Sequence, residues 1–307
     1  RNQEGVTAYE FNRYGIAGIG GATNVNARAS QFAQGNKLTL SGCNRNYLAR
    51  GMFTHATGLL PSGWAFAGLV GYRWANEGVI EGTFYNSLSY FLSAEKRLGD
   101  KHALSLVTFG SPTERGQQGA STEEAYWLAN SHYYNPNWGY QGGKKRNSRV
   151  VNDFEPTAIL TWDWTMRDNM KLSTSAGFKY SMYSSTALGW NGNAYDPRPD
   201  YYKNLPSSIF KVYDPQINNP DFFNSAEGAW ALEGWNNLYN YWTSHKANRQ
   251  VDWDRMYAVN HAAAEQGEET LYYQERRHNN QMVETFNTIF NHEINQHHKY
   301  AVGFQYN

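Results

Sequence analysis

Lys171-Leu172-Ser173-Thr174-Ser175-Ala176-Gly177-Phe178-Lys179-Tyr180-Ser181-Met182 decides the fold, because its residues fall into two interleaved series. Leu172, Thr174, Ala176, Phe178, Tyr180 and Met182 form one, and Lys171, Ser173, Ser175, Gly177, Lys179 and Ser181 the other. Successive side chains of an extended chain point to opposite faces, so the segment reads as a strand with one apolar and one polar face. The chain end repeats the pattern, with Tyr300, Val302, Phe304 and Tyr306 alternating with Lys299, Ala301, Gly303 and Gln305. A third strand carries Trp64, Phe66, Val70, Tyr72 and Trp74 on one face, and Ala65, Ala67, Gly71 and Arg73 on the other, interrupted by Leu69. Its aromatic residues mark both ends. Amphipathic rings settle at the two interfaces of a bilayer, which favours a lipid-facing strand, although a soluble sandwich can place aromatics there too.

Working outward, residues 37–43, 48–57, 84–96, 102–110, 154–166 and 281–290 read as further strands, about nine in all. Phe91 and Ile159 break the alternation in two of them. Short connections at residues 60–63, 99–101, 167–169 and 295–296 alternate with long ones at 111–153 and 184–280. An up-and-down outer-membrane barrel has tight periplasmic turns and long outer loops, whereas a soluble sandwich has no reason to sort its connections. The expected fold class is all-β: part of a transmembrane up-and-down antiparallel β-barrel with long extracellular loops, one of them partly helical. The helix is expected after Asn219 as cap and Pro220 at its first position, with Ala226, Trp230, Leu238, Tyr239 and Trp242 supplying an apolar pattern. Such a helix either packs its aromatics into the loop's own core or presents them to a ligand.

Composition agrees. Aromatic residues make up 16% of the 307 and charged residues only 18%, a mixture suited to strands and turns. Lys+Arg and Asp+Glu balance at 27 each, which offers no field to gather nucleic acid. No stretch approaches the roughly 20 apolar residues of a membrane helix. A membrane β-barrel escapes a hydropathy scan, because only alternate residues face lipid, so a mean hydropathy of -0.73 is compatible with one. Residues 1–10 contain no apolar signal-peptide core. The single cysteine, Cys43, rules out an intramolecular disulfide and reads as a small strand residue.

Motifs for chemistry are weak. Gly15-Ile16-Ala17-Gly18-Ile19-Gly20-Gly21-Ala22-Thr23 lacks the spacing and ending of a phosphate loop, and reads as backbone threading a crowded interior before the first strand. His292, His297 and His298 lie near a turn, and adjacent imidazoles on a strand face opposite ways, so no metal-ligand set emerges. Asp252-Trp253-Asp254 stands in the long loop, and no catalytic triad appears. Neither an enzyme nor a cofactor is expected. Lys144-Lys145-Arg146 reads as a solvated basic run, with contact to an anionic ligand or outer-leaflet headgroup as the alternative.

Gly20-Gly21-Ala22-Thr23-Asn24 resembles the end of the plug domain in TonB-dependent outer-membrane receptors. Other stretches resemble one branch of that family: Gly63-Trp64-Ala65-Phe66, Glu81-Gly82-Thr83-Phe84-Tyr85, Arg115-Gly116-Gln117-Gln118-Gly119-Ala120, Tyr133-Tyr134-Asn135-Pro136-Asn137-Trp138-Gly139-Tyr140, and Asp196-Pro197-Arg198-Pro199-Asp200-Tyr201-Tyr202. The likeness holds to about Pro206 and loosens in the second long loop. It implies that residues 1–35 are the C-terminal tail of a plug and residues 36–307 the first strands, about nine, of an incomplete barrel. Members are plugged barrels of 22 strands, so most of the plug and more than half of the barrel would lie outside this chain, with the motif that meets TonB upstream of Arg1.

The resemblance implies an outer-membrane receptor of a Gram-negative bacterium that binds a scarce nutrient and imports it into the periplasm with TonB-coupled energy. Its partners would be the TonB inner-membrane energy complex, outer-membrane lipid, a small nutrient ligand and a surface lipoprotein acting as a lid. Arg115, Trp138, Tyr140, Trp190 and Asp196 are candidate ligand contacts, chosen because long-loop positions combining aromatic faces with polar groups suit binding. They do not select among ferric chelate, vitamin, oligosaccharide and peptide. The rival reading is a secreted soluble β-rich protein that binds or cleaves glycans, which leaves the loop sorting and the plug-like start without a reason.

Overall fold

The computed structural model describes residues 3–7, 12–14, 20–192 and 194–307. Near the start, Gln3–Val6 (β1) and Ala22–Val25 (β2) form a two-stranded antiparallel ribbon. Gly21 opens β2 with φ +95°, and a Cβ there would strike the carbonyl oxygen of Val6, so this position needs glycine. Residues 15–19 of the glycine-rich stretch lie outside the described residues.

An eleven-stranded antiparallel sheet holds most of the rest. Its first members are Gly35–Gly42 (β3), Ala49–Leu59 (β4), Trp64–Ala75 (β5), Tyr85–Leu98 (β6), His102–Gly110 (β7) and Thr113–Gly116 (β8). The first long connection contains helix α1, Glu123–Ala129, and a hairpin of Trp138–Gln141 (β9) and Lys144–Asn147 (β10). The wall resumes with Val150–Phe154 (β11), Thr157–Arg167 (β12) and Met170–Trp190 (β13). The second long connection contains α2 (Ser207–Lys211), α3 (Ala226–Ser244), the two-residue strand β14 (Val251–Asp252) and α4 (Trp253–Glu265). Tyr272–Glu293 (β15) and Lys299–Tyr306 (β16) complete the sheet.

Each strand pairs with its neighbours in sequence, the meander of an up-and-down barrel wall. β8 continues β7 beyond Pro112, and β11 leads into β12 across Pro156; proline cannot donate to the ladder, so each strand breaks there. With those two continuations merged, the eleven segments make nine staves, at the positions expected from the alternation. Gly63 with φ +78° and Gly99 with φ +69° supply the left-handed residues of two tight turns, which lie at the same end as those near Asn169 and Asn295.

The wall is apolar on its exposed face. Along β5, Trp64, Phe66, Val70, Tyr72 and Trp74 are exposed, while Ala65, Ala67, Gly71 and Ala75 are buried. β6 repeats this, with Leu88 and Leu92 exposed and Ser87, Ser93 and Glu95 buried. Trp64 and Trp74 stand ten residues apart, about 33 Å along a strand and about 25 Å once a barrel's strand tilt is applied. That matches the height of an outer-membrane apolar band. At the turn end Trp64 stacks on Phe66 at 5.4 Å, and His102, Trp162 and Trp164 form a second stacked group.

Residues 26–34 lie against the inner face. The 3-10 turn Ala29–Gln31 buries Ala29 among Ala56, Ala65 and Ala67, flanked by Phe32 and Phe91. The Ser30 N–H donates to buried Glu95 Oε2 at 3.0 Å, and Arg28 donates to both carboxylate oxygens of Asp163 at 2.6 and 2.8 Å.

Three expectations are corrected. β13 and β15 pair without a register break from Met170 opposite His292 to Trp190 opposite Tyr272, so the second long connection is residues 191–271 rather than 184–280. Beyond the apolar band both faces of this ribbon are polar, as in Gln274-Glu275-Arg276-Arg277-His278-Asn279-Asn280, and alternation no longer marks the strand. The long helix starts at Ala226, capped by Ser225 Oγ, which accepts from Gly228 N; Asn219 and Pro220 precede a separate 3-10 turn, Phe222–Asn224. Cys43 falls just beyond β3, half-buried, rather than within the strand.

Candidate functional site

The two long connections fold together over the loop end of the wall. β14 pairs in parallel with β9, joining them into one three-stranded sheet. Gly139 is required at this junction, since a Cβ would overlap the backbone of Val251. Ala125 and Leu128 of α1, Tyr134, Leu205 and Trp242 of α3 form one core of this cap. Val251, Trp253 and Met256 form a second, seated on Leu188 and Tyr272 of the extended β13–β15 ribbon. Asp252 caps α4, its Oδ1 accepting from Arg255 N at 2.9 Å, so Asp252-Trp253-Asp254 marks a helix start.

Asparagine side chains stand in for backbone where the chain turns inside this cap. Asn135 is buried; its Oδ1 accepts from the N–H groups of Gly119 and Asn137, and its Nδ2 donates to the carbonyl of Glu81. Asn147 Nδ2 donates to the carbonyls of Gly82 and Gln117 at 2.9 Å. Both therefore also hold the connection between β5 and β6.

The basic run is engaged. Lys145 Nζ donates to Glu77 at 2.8 Å and Glu81 at 2.7 Å and lies over the Trp138 ring, while Lys246 Nζ donates to the other oxygen of Glu81 at 3.0 Å. Arg146 lies 4.0 Å over Trp253 and donates to Tyr257 and Gln274. This corrects the reading as a free solvated run: the run forms β10, and Lys145 and Arg146 bind the cap together. Burial opposes charge on Glu81, but the lysine hydrogen bonds outweigh it and hold its carboxyl below the usual 4.5. Burial likewise opposes charge on Lys145, and Glu77 and Glu81 outweigh it to raise the ammonium above 10.5.

The five candidate contacts fall at separate places. Trp138 is fully buried, against Gly82 on one side and Tyr140 at 5.3 Å on the other. Tyr140 is half-buried on β9. Trp190 lies under the Arg198 guanidinium, and Asp196, nearly buried, is paired to that same Arg198. Asp196 lines a cavity of about 390 Å³ with Tyr195, Tyr241, Trp242, Asp252 and Arg255. Arg115 is exposed on β8, on the inner face of the wall, apart from the others. The structure thus joins Trp138 to Tyr140 and Trp190 to Asp196.

A second cleft, of about 480 Å³, opens at the turn end between the N-terminal residues and the wall, lined by Arg13, Arg28, Asp163, Lys171 and Lys299. His297 and His298 are turn residues there, their N–H groups donating to Asn295 Oδ1. Among the described residues no group of three His, Cys, Asp or Glu is placed to hold a metal ion.

No protein-family model matches the chain. No curated protein matches it either. Among solved structures the chain is similar to the ferric-catecholate import receptor Fiu from E. coli K12. The open form matches with TM-score 0.48 at 12% identity, over 95% of this chain and 37% of that one. The closed form matches with TM-score 0.49 at 12% identity, over 95% of this chain and 34% of that one. The chain thus spans about a third of the length of those receptors.

Proposed function

We propose that this chain is part of a bacterial outer-membrane receptor that binds a scarce nutrient and imports it into the periplasm with TonB-coupled energy. One observation carries the reading: the wall exposes large apolar side chains over a band of membrane height, while the patch of its small-residue face at Ala56, Ala65 and Ala67 is covered by Ala29 and Phe32 of the same chain. A soluble protein would bury the apolar face, because exposed apolar patches of this extent drive association. A channel wall would leave its inner face to water.

On this reading residues 1–35 are the tail of a plug and residues 36–307 the first strands of the barrel. The cap formed by residues 117–149 and 191–271 lies on the extracellular side, where a nutrient arrives and where a surface lipoprotein would sit as a lid. The energy for import would come from the TonB complex. Expressing the full reading frame and fractionating the cells tests this. The product is expected in the outer membrane, heat-modifiable on gels and retained by TonB. A soluble secreted product would overturn the reading in favour of a glycan-active protein, and a barrel that ignores TonB would remove the import mechanism.

A further inference from the structure

Strand register places three arginines together on the inner face of the wall near its loop end. Arg50 of β4 stands directly opposite Arg73 of β5. From Arg73 the same rung continues to Ser87 and then Thr113. One inward-facing position further up, Ala75 pairs with Tyr85 and Tyr85 with Arg115. Two strand spacings and one step along the strand put the Cα atoms of Arg73 and Arg115 about 12 Å apart, within joint reach of two arginine side chains.

Two like charges directly opposed across a ladder destabilise it, and paired strands normally answer them with carboxylates. None does so here. Among the described residues Arg50, Arg73 and Arg115 form no ion pair; Arg50 donates only to the sulfur of Met52, and Arg73 lies over the ring of Tyr47 at 5.9 Å. Nearby Glu77 and Glu81 are held by Lys145 and Lys246. Asp153, on the same face, pairs across the ladder with Thr113 and Tyr183, not with an arginine. Tyr47 and Tyr85, with rings 6.4 Å apart, bridge the space between the arginines.

We propose that Arg50, Arg73 and Arg115, with Tyr47 and Tyr85, form the inner-wall part of the nutrient site, and that the nutrient is a small molecule carrying at least two carboxylate or phosphate groups. The proposal rests on the receptor reading above. Guanidinium groups bind such anions through paired, charge-assisted hydrogen bonds. The Arg50–Arg73 pair takes one anionic group and Arg115 a second, with the tyrosine rings flanking the ligand between them. Bound anion supplies the countercharge that the ladder lacks.

The test uses the full-length receptor purified in detergent, with citrate and pyrophosphate as probes and maltotriose as the neutral control, read by calorimetric titration and thermal unfolding. At least one of the two anions is expected to bind and raise the Tm of the wild type, and maltotriose to do neither. R50Q/R73Q is expected to weaken that binding at least about tenfold. Relief of repulsion should leave the unliganded variant no less stable than wild type. Absence of binding by both anions, or equal binding by the variant, overturns the proposal. So does a lowered Tm of the unliganded variant, which would mean that a carboxylate of the protein itself occupies the arginines. Heat-modifiable outer-membrane product in any of these cases leaves the receptor reading standing.

Discussion

Replacing Leu92 by arginine separates a lipid-facing wall from a soluble one. Leu92 is 56% exposed and stands on the apolar face opposite Gly68 and Thr108. It lies four residues from Lys96, which pairs with Trp64 at the turn end, and four from Leu88, which pairs with Tyr72 towards the loops. Four residues span about 13 Å along a strand, or about 10 Å of height after tilt, so Leu92 sits near the middle of the band. In water, an exposed leucine on a sheet exchanges for arginine within about 0.5 kcal/mol. At a bilayer midplane the same change costs roughly 2–4 kcal/mol, about 30- to 1,000-fold in the folding equilibrium.

The measurement is guanidinium unfolding of the full-length protein from lipid vesicles, followed by tryptophan fluorescence. Leu98→Arg serves as control, since Leu98 is 54% exposed at the turn end. Near an interface arginine reaches water, and the expected cost is only about 0–1 kcal/mol. A large loss at Leu92 with a small one at Leu98 is the signature of depth. If both variants unfold within about 0.5 kcal/mol of wild type, the exposed face does not meet lipid.

Two further outcomes concern the cap. Gly82 has φ +76°, and a Cβ there would overlap the Trp138 ring, so Gly82→Ala combines left-handed strain with overpacking, about 2–5 kcal/mol together; limited proteolysis should cut residues 117–149 and 191–271 faster, while hydrogen exchange in the wall stays unchanged. Because the Glu81 carboxyl is held below 4.5 in the folded chain, its contribution is complete above that pH and is lost as pH falls through the depressed value; raised Lys145 keeps its own contribution until pH passes above 10.5. Protease resistance of the cap should therefore drop on acidification below about pH 4.5, and Glu81→Gln should flatten that dependence.

The wall was legible because its strands obey a single rule. Where one face meets apolar surroundings and the other small or polar ones, alternation follows, and Leu172 to Met182 or Trp64 to Trp74 reveal it without any partner strand. That signal ends where the surroundings become uniform. Above Met182 both faces of β13 meet polar groups or the cap, so its last residues, through Trp190, are held by pairing with β15 that no local pattern announces. The cap is harder still. β14 is two residues long and pairs in parallel across more than a hundred residues of sequence. Asn135 and Asn147 act through backbone groups of other connections, which composition cannot show. Of the candidate contacts, Trp138 is aromatic on a loop, a property that suits a ligand site and a core alike: its ring is what Gly82 makes room for.

The small residues of the inner face were also legible, but what covers them was not. Ala56, Ala65 and Ala67 could line a water-filled lumen, but water gives no reason for them to be small. Their burial under Ala29 supplies one: a backbone turn can approach the sheet only over methyl groups. Glu95 sharpens the point, since a buried carboxylate needs partners, and it finds one in the Ser30 N–H of the covering segment. The cover is thus held at a few polar points, Ser30 to Glu95 and Arg28 to Asp163, over a floor with little to interlock. Each polar point contributes only a few kcal/mol, and the Arg28–Asp163 pair less because it is partly exposed. A segment fixed this way is held in register by those points and has little else to break if it is drawn away. The proposed mechanism asks the same of a plug drawn from one end: contacts that break one at a time and leave the wall intact.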